Sequence, residues 1–154
     1  MIDDWNVLCP NIIFIVGDLI LGGAAEGIEK QWDICESVID TINPSFIPLP
    51  GGHDIADEET EKIYEKRIGP TKFALEIGNS LFIALNTEGV GQLPGEFSES
   101  HLTWLKETLS QNKSKNIFIM MHQTIFNTNL YGAKWDAVAD LLKDLSGSSC
   151  FCRS

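Results

Sequence analysis

Asn11-Ile12-Ile13-Phe14-Ile15-Val16-Gly17-Asp18 decides how this chain is read. A solid run of β-branched and aromatic residues, without polar alternation, predicts a short strand buried on both faces, and Gly17-Asp18 ends it abruptly. Downstream, Gly22-Gly23-Ala24-Ala25 reads as a loop. Ile28, Trp32, Cys35, Val38, Ile39 and Ile42 then recur every three or four positions, the pattern of an amphipathic helix. Asn43-Pro44 stops it, because a residue before proline disfavours the α region. Ser45 to Leu49 is a second short strand, running into Pro50-Gly51-Gly52-His53-Asp54.

A charged helix follows, dense in acids from Asp57 to Glu65 and ending near Gly69-Pro70. The period then switches to two. Thr71 to Ile77 and Ser80 to Asn86 flank Gly78-Asn79, a pair suited to a type II′ hairpin. Ser98 offers an N-cap to a helix carrying Leu102, Leu105 and Leu109 on one face, with His101 expected in solvent. Asn116 to Met121 is another solid strand and delivers His122 at its end. A last helix carries Trp135, Val138, Leu142 and Leu145, and Ser146-Gly147-Ser148-Ser149 leads into a tail. Strands alternating with helices predict an α/β layered domain with a largely buried sheet.

Composition narrows the function classes. With 154 residues and 44% of them hydrophobic, the chain has enough apolar material for one core. A formal charge of −11 opposes non-specific nucleic-acid binding through phosphate neutralisation. No apolar run approaches the roughly 20 residues of a membrane-spanning helix. Met1-Ile2-Asp3-Asp4-Trp5 lacks the pattern of a secretory leader, which leaves the compartment open. Cys9, Cys35, Cys150 and Cys152 have the spacing of neither a disulfide framework nor a zinc pair. Lys66 and Arg67 are expected as surface residues at a helix end.

Chemistry-bearing residues collect at one kind of place. Asp18, His53-Asp54 and His122 each lie just beyond the C-terminal end of an apolar strand. In open α/β sheets ligands bind at that edge. One such residue would pass as a cap or a core hydrogen-bonder, whereas three strands ending this way point to a shared site.

The local sequences add a family resemblance. Gly17-Asp18-Leu19-Ile20 resembles the Gly-Asp motif of calcineurin-like metallophosphoesterases, and Pro50-Gly51-Gly52-His53-Asp54 resembles their Gly-Asn-His-Asp motif. Met121-His122-Gln123 is similar to the isolated His motif of that family. Leu81 to Glu88, through Asn86-Thr87, resembles a strand that often ends in Asn-Thr, and Leu102-Thr103-Trp104-Leu105 the helix before the His strand. The resemblance implies a layered α/β/β/α sandwich and hydrolysis of phosphate mono- or diesters at two divalent or trivalent metals, iron, zinc or manganese. It assigns metal binding to Asp18, as the bridging carboxylate, and to His122. It assigns catalysis to His53, facing the substrate, and to Asp54, holding the His53 imidazole. The implied partner is a small phosphate ester, with neither nucleic acid nor membrane.

Departures from the family pattern set further expectations. The family's opening Asp-x-His and closing Gly-His-x-His are absent from the sequence, so residues 1–154 read as a partial domain, incomplete at both ends. Gly52 stands where the family has an Asn ligand, and Thr124 where many relatives have Pro. Only Asp18 and His122 match among about seven ligands, so metal binding is expected to be weak or absent and the activity of this chain doubtful. The alternatives are a non-catalytic binding module with the same fold, or a non-functional fragment. Oligomeric state stays open.

Overall fold

The computed structural model describes residues 2–23, 25–91, 93, 95–113, 115–124, 135–143 and 150–151. The elements run α1 (Ile2–Leu8), β1 (Ile12–Val16), α2 (Ala25–Ile39), β2 (Ser45–Leu49), α3 (Glu58–Arg67), β3 (Phe73–Ile77), β4 (Ser80–Leu85), α4 (Glu99–Gln111), β5 (Asn116–Met121), α5 (Trp135–Lys143) and β6 (Cys150–Phe151). The expected α/β class holds. Two elements add to the sequence reading: α1, which buries no residue, and β6, a short strand in a segment read as a tail.

The strands form two sheets. β1 and β2 pair in parallel, Ile12 opposite Ser45 through Val16 opposite Leu49. The second sheet has the order β3-β4-β5-β6. Its β3–β4 pair is antiparallel, while β4–β5 and β5–β6 are parallel. Gly78, at φ +58, makes the turn between β3 and β4, and Asn79 is not left-handed, as the type II′ reading requires.

β4 and β5 are buried on both faces because their side chains alternate between two cores. Leu81, Ile83, Leu85, Ile117 and Ile119 pack against Leu105 and Leu109 of α4 and Val138 and Leu142 of α5. From the opposite face, Ala84 and Met120 meet Leu49, with Phe14, Val16, Phe73 and Phe82 around them. Phe14 of β1 stacks on Phe82 of β4 at 5.0 Å between ring centroids, so the two sheets touch directly. A third core joins α2 and α3 through Ile28, Trp32 and Tyr64, with Ile20 and Ile55 from the loops after β1 and β2. Among the described residues, no helix is long and apolar enough to cross a membrane.

Two side chains depart from expectation. His101 is 6% exposed, and its Nε2 has no partner among the described residues. It is one helical turn before Leu105, so it shares the face that α4 buries. Burial, aided by the charge of Lys72, pushes its pKa down to about 4. Arg67 is not a loose surface cation but joins α3 to α2. Its guanidinium donates to Glu29 at 2.7 Å, Glu36 at 3.0 Å and Asp33 at 2.9 Å, three carboxylates spaced along one stripe of α2.

Candidate functional site

The site begins with a backbone turn. After β1, Gly17 takes φ +97 and Asp18 φ +57, the left-handed region that a residue with a side chain rarely enters. Such strain persists where surrounding contacts over-determine it. Here Asp54 supplies them. Its carboxylate is fully buried and accepts the N–H groups of Leu19 at 2.8 Å, Ile20 at 3.2 Å and Gly51 at 2.8 Å. One side chain thus clamps the loop after β1 to the loop after β2. Burial raises the Asp54 pKa despite the backbone donors, which pull the other way. Desolvation therefore outweighs the hydrogen bonds, and the charge is only partly compensated.

The clamp brings the loops very close. A Cβ on Gly17 would lie 2.5 Å from His122 Nδ1, and one on Gly51 would lie 2.4 Å from Asp18 Oδ1. Glycine at both positions is what lets Asp18 and His122 meet.

His122 leaves the end of β5 with Nδ1 2.7 Å from the Val16 carbonyl oxygen. A carbonyl only accepts, so Nδ1 carries the hydrogen and Nε2 of the neutral ring presents its lone pair. Nε2 is 3.5 Å from Asp18 Oδ1. That is longer than an ordinary hydrogen bond of about 2.7–3.2 Å. Two donor atoms each about 2.1 Å from one ion at a tetrahedral angle stand about 3.4 Å apart. The backbone hydrogen bond on Nδ1 is also the usual support for a metal-binding imidazole. Asp18 and His122 therefore fit a shared metal ion. Gly52 adds no donor, and among the described residues no three His, Cys, Asp or Glu side chains are gathered closely enough to hold one.

His53 stands beside this pair. Its backbone N–H donates to Asp18 Oδ1 at 3.1 Å, and its ring Nδ1 is 2.7 Å from the Leu21 carbonyl oxygen. That hydrogen bond, followed by the negative charge of Asp18, raises the His53 pKa. Leu21 thus does the orienting work expected of Asp54, whose oxygens are taken up by backbone donors. The two residues are sequence neighbours with different tasks: Asp54 is buried under the loops and His53 is exposed at the pocket.

Asp18, Gly52, His53, His122, Glu88 and Gln123 line one cavity of about 520 Å³. Glu88 and Gln123 were not singled out by the sequence reading. Both follow strands whose ends were already marked, β4 and β5, and that position was the available signal.

No family model matches the chain. It is 24% identical over 119 residues to the 3′,5′-cyclic adenosine monophosphate phosphodiesterase CpdA of Haemophilus influenzae, an alignment covering 77% of this chain and 42% of that protein. The chain thus spans about two fifths of that relative's length. A crystal structure of a dimetal phosphatase from Danio rerio superposes with a TM-score of 0.70 at 14% identity, covering 97% of this chain and 68% of the other. Two contacting sheets with the Asp18, His53 and His122 loops at one edge, superposing in this way, give the chain the fold of that dimetal phosphatase.

Proposed function

We propose that residues 1–154 belong to one metallophosphoesterase domain that hydrolyses phosphate mono- or diesters, with Asp18 and His122 as metal ligands and His53 toward the substrate. The 3.5 Å separation of His122 Nε2 and Asp18 Oδ1, with the His122 tautomer set by Val16, carries the reading. The similar proteins, a cyclic-nucleotide phosphodiesterase and a dimetal phosphatase, share phosphate-ester chemistry and support the substrate class. Bound metal supplies Lewis-acid neutralisation of phosphoryl charge and a nucleophilic water at neutral pH.

The chain's own residues do the rest. Asp18 and His122 place the ion at the ends of β1 and β5, and Asp54 keeps Asp18 in its strained turn. His53, with Nδ1 held by Leu21, has Nε2 available to hydrogen-bond a phosphoryl oxygen or pass a proton to the leaving oxygen. A second reading, a binding module that retains the fold without turnover, is favoured by the missing side chain at Gly52. Two ligands support no more than one weakly held ion per chain, of iron, zinc or manganese.

Equilibrium dialysis against Mn²⁺ with elemental analysis, run beside hydrolysis of para-nitrophenyl phosphate and bis-para-nitrophenyl phosphate, tests this. The expected outcome is at most one ion per chain, lost in Asp18→Asn and His122→Ala, with any turnover lost alongside. Mn²⁺ binding indifferent to both substitutions would refute the assignment.

A further inference from the structure

The cavity that holds Asp18, His53 and His122 has a second acidic wall, Glu88, which follows β4. At 9% exposure this carboxylate is withdrawn from water and needs hydrogen bonds or an opposite charge. Oε1 accepts from Gln123 Nε2 at 2.8 Å and from Thr87 Oγ1 at 3.1 Å. The Glu88 backbone N–H donates to Asn86 Oδ1 at 2.8 Å, which fixes the stretch that carries the side chain. Oε2 has no hydrogen-bond partner among the described residues.

Glycine keeps that oxygen open to the cavity. The nearest atom a Cβ on Gly52 would meet is Oε2, at 3.2 Å, and Gly52 lines the same cavity. Gly52 does not adopt a left-handed φ, so the backbone places no demand for glycine there. One residue back, a Cβ on Gly51 would lie 2.4 Å from Asp18 Oδ1 and 2.9 Å from His122 Cε1. Adjacent Cα atoms are about 3.8 Å apart, which puts Oε2 within roughly 12 Å of Asp18 Oδ1. A small molecule with a polar group at each end spans a gap of that size.

Charge decides which group lies at the Glu88 end. The described lining of the cavity has two carboxylates, Asp18 and Glu88, and no Lys or Arg. An ion on Asp18 and His122 offsets the first and leaves the second without a cation. An ammonium brings both the N–H donors that Oε2 lacks and the opposite charge, and such charge-assisted hydrogen bonds are the strong ones.

We infer that the site takes phosphate esters whose alcohol carries an ammonium group, and that Glu88 selects them through Oε2. The inference rests on the proposed assignment of Asp18 and His122, which holds the phosphoryl end. It needs no rearrangement of the chain, since Oε1 keeps Gln123 and Thr87 while Oε2 receives the ligand.

The 154-residue chain with Mn²⁺ is titrated calorimetrically with alkyl phosphonates, whose C–P bond resists hydrolysis. The probes are 3-aminopropylphosphonate against n-butylphosphonate, and 4-aminobutylphosphonate against n-pentylphosphonate, each pair exchanging an ammonium for a methyl. In at least one pair the amino member is expected to bind about tenfold more tightly or better, the range of a hydrogen bond between charged groups. Glu88→Gln keeps the shape and removes the charge, and is expected to bring that ratio close to one. A merely structural role for Glu88 would weaken both members alike and leave the ratio in place. A wild-type ratio below about threefold in both pairs, or a wild-type ratio retained in Glu88→Gln, overturns the inference. The assignment of Asp18 and His122 survives that result if Asp18→Asn and His122→Ala weaken both members of a pair. If those two variants bind as wild type does, or no phosphonate binds saturably, the assignment falls and the inference with it. Should Glu88→Gln lose its folded circular dichroism, Gly52→Ala decides, because its methyl crowds Oε2 from 3.2 Å. A ratio cut by about threefold or more then supports the inference, and a smaller change overturns it.

Discussion

Removing the Asp54 carboxylate is expected to cost far more than removing an exposed carboxylate that also caps backbone groups. Asp54→Ala leaves the N–H groups of Leu19, Ile20 and Gly51 without their acceptor in a buried place. Each orphaned donor costs about 1–3 kcal/mol. Two effects reduce the sum. Water entering the vacated space satisfies some donors, and the deletion also relieves a charge that burial disfavours, as the raised Asp54 pKa shows. A net loss of about 3–4 kcal/mol follows, a large part of the 5–15 kcal/mol that stabilises a typical domain. Asp54→Asn keeps one oxygen for Leu19 and Ile20 but sets an amide N–H₂ against the Gly51 N–H, so about 2 kcal/mol is expected. Asp57→Ala, which removes the exposed N-cap of α3, is the control at about 1 kcal/mol. Urea unfolding followed by tryptophan fluorescence reads all three, since Trp32 is fully buried next to Ile20 and Ile55 in the same core. Equal stability of Asp54→Asn and wild type, or a smaller loss for Asp54→Ala than for Asp57→Ala, would refute the clamp.

Two further perturbations follow from the same geometry. Gly17→Ala puts a methyl 2.5 Å from His122 Nδ1 at φ +97; a loss of about 2–4 kcal/mol in urea unfolding is expected from backbone strain and overpacking, and wild-type stability would show that the loops do not meet there. His101, with its folded pKa lowered to about 4, is neutral in the fold while its unfolded counterpart takes up a proton below about 6.5; stability is therefore complete above the unfolded value and is lost as pH falls toward the folded one. With allowance for screening the loss reaches about 2 kcal/mol, and His101→Leu, compared with wild type by thermal unfolding at neutral and acid pH, is expected to remove that share of the acid sensitivity.

How much of this was legible in sequence depends on the range over which each signal acts. β1, β4 and β5 announce themselves because a strand covered on both faces has no polar side to interrupt it. The Gly78-Asn79 hairpin is local in the same way. α1 was missed because Ile2 to Leu8 spans only two turns and its inward side is no more than half-buried, while Val7 and Leu8 are exposed, so no apolar period stands out. β6 is two residues long and borrows its conformation from β5, so no period could mark it. His101 was legible and was misjudged. It precedes Leu105 by four residues and Leu109 by eight, and position on the helix outweighed polarity once Phe97 and Trp104 closed around the ring.

The site divides along the same line. Asp18, His53 and His122 were found because each follows a strand, and the topology brings those three ends to one pocket. What the pattern could not assign was the partner of each group. Asp54 adjoins His53 in sequence, yet a turn sends one carboxylate inward to three backbone donors and leaves one imidazole outside with Leu21. Arg67 lies 31 residues or more from each of its carboxylates, and only the packing of α3 on α2 joins them. Glu88 follows the same logic. A Cβ on Gly52 would lie 3.2 Å from Glu88 Oε2, an approach across 36 positions that no pattern in the sequence marks.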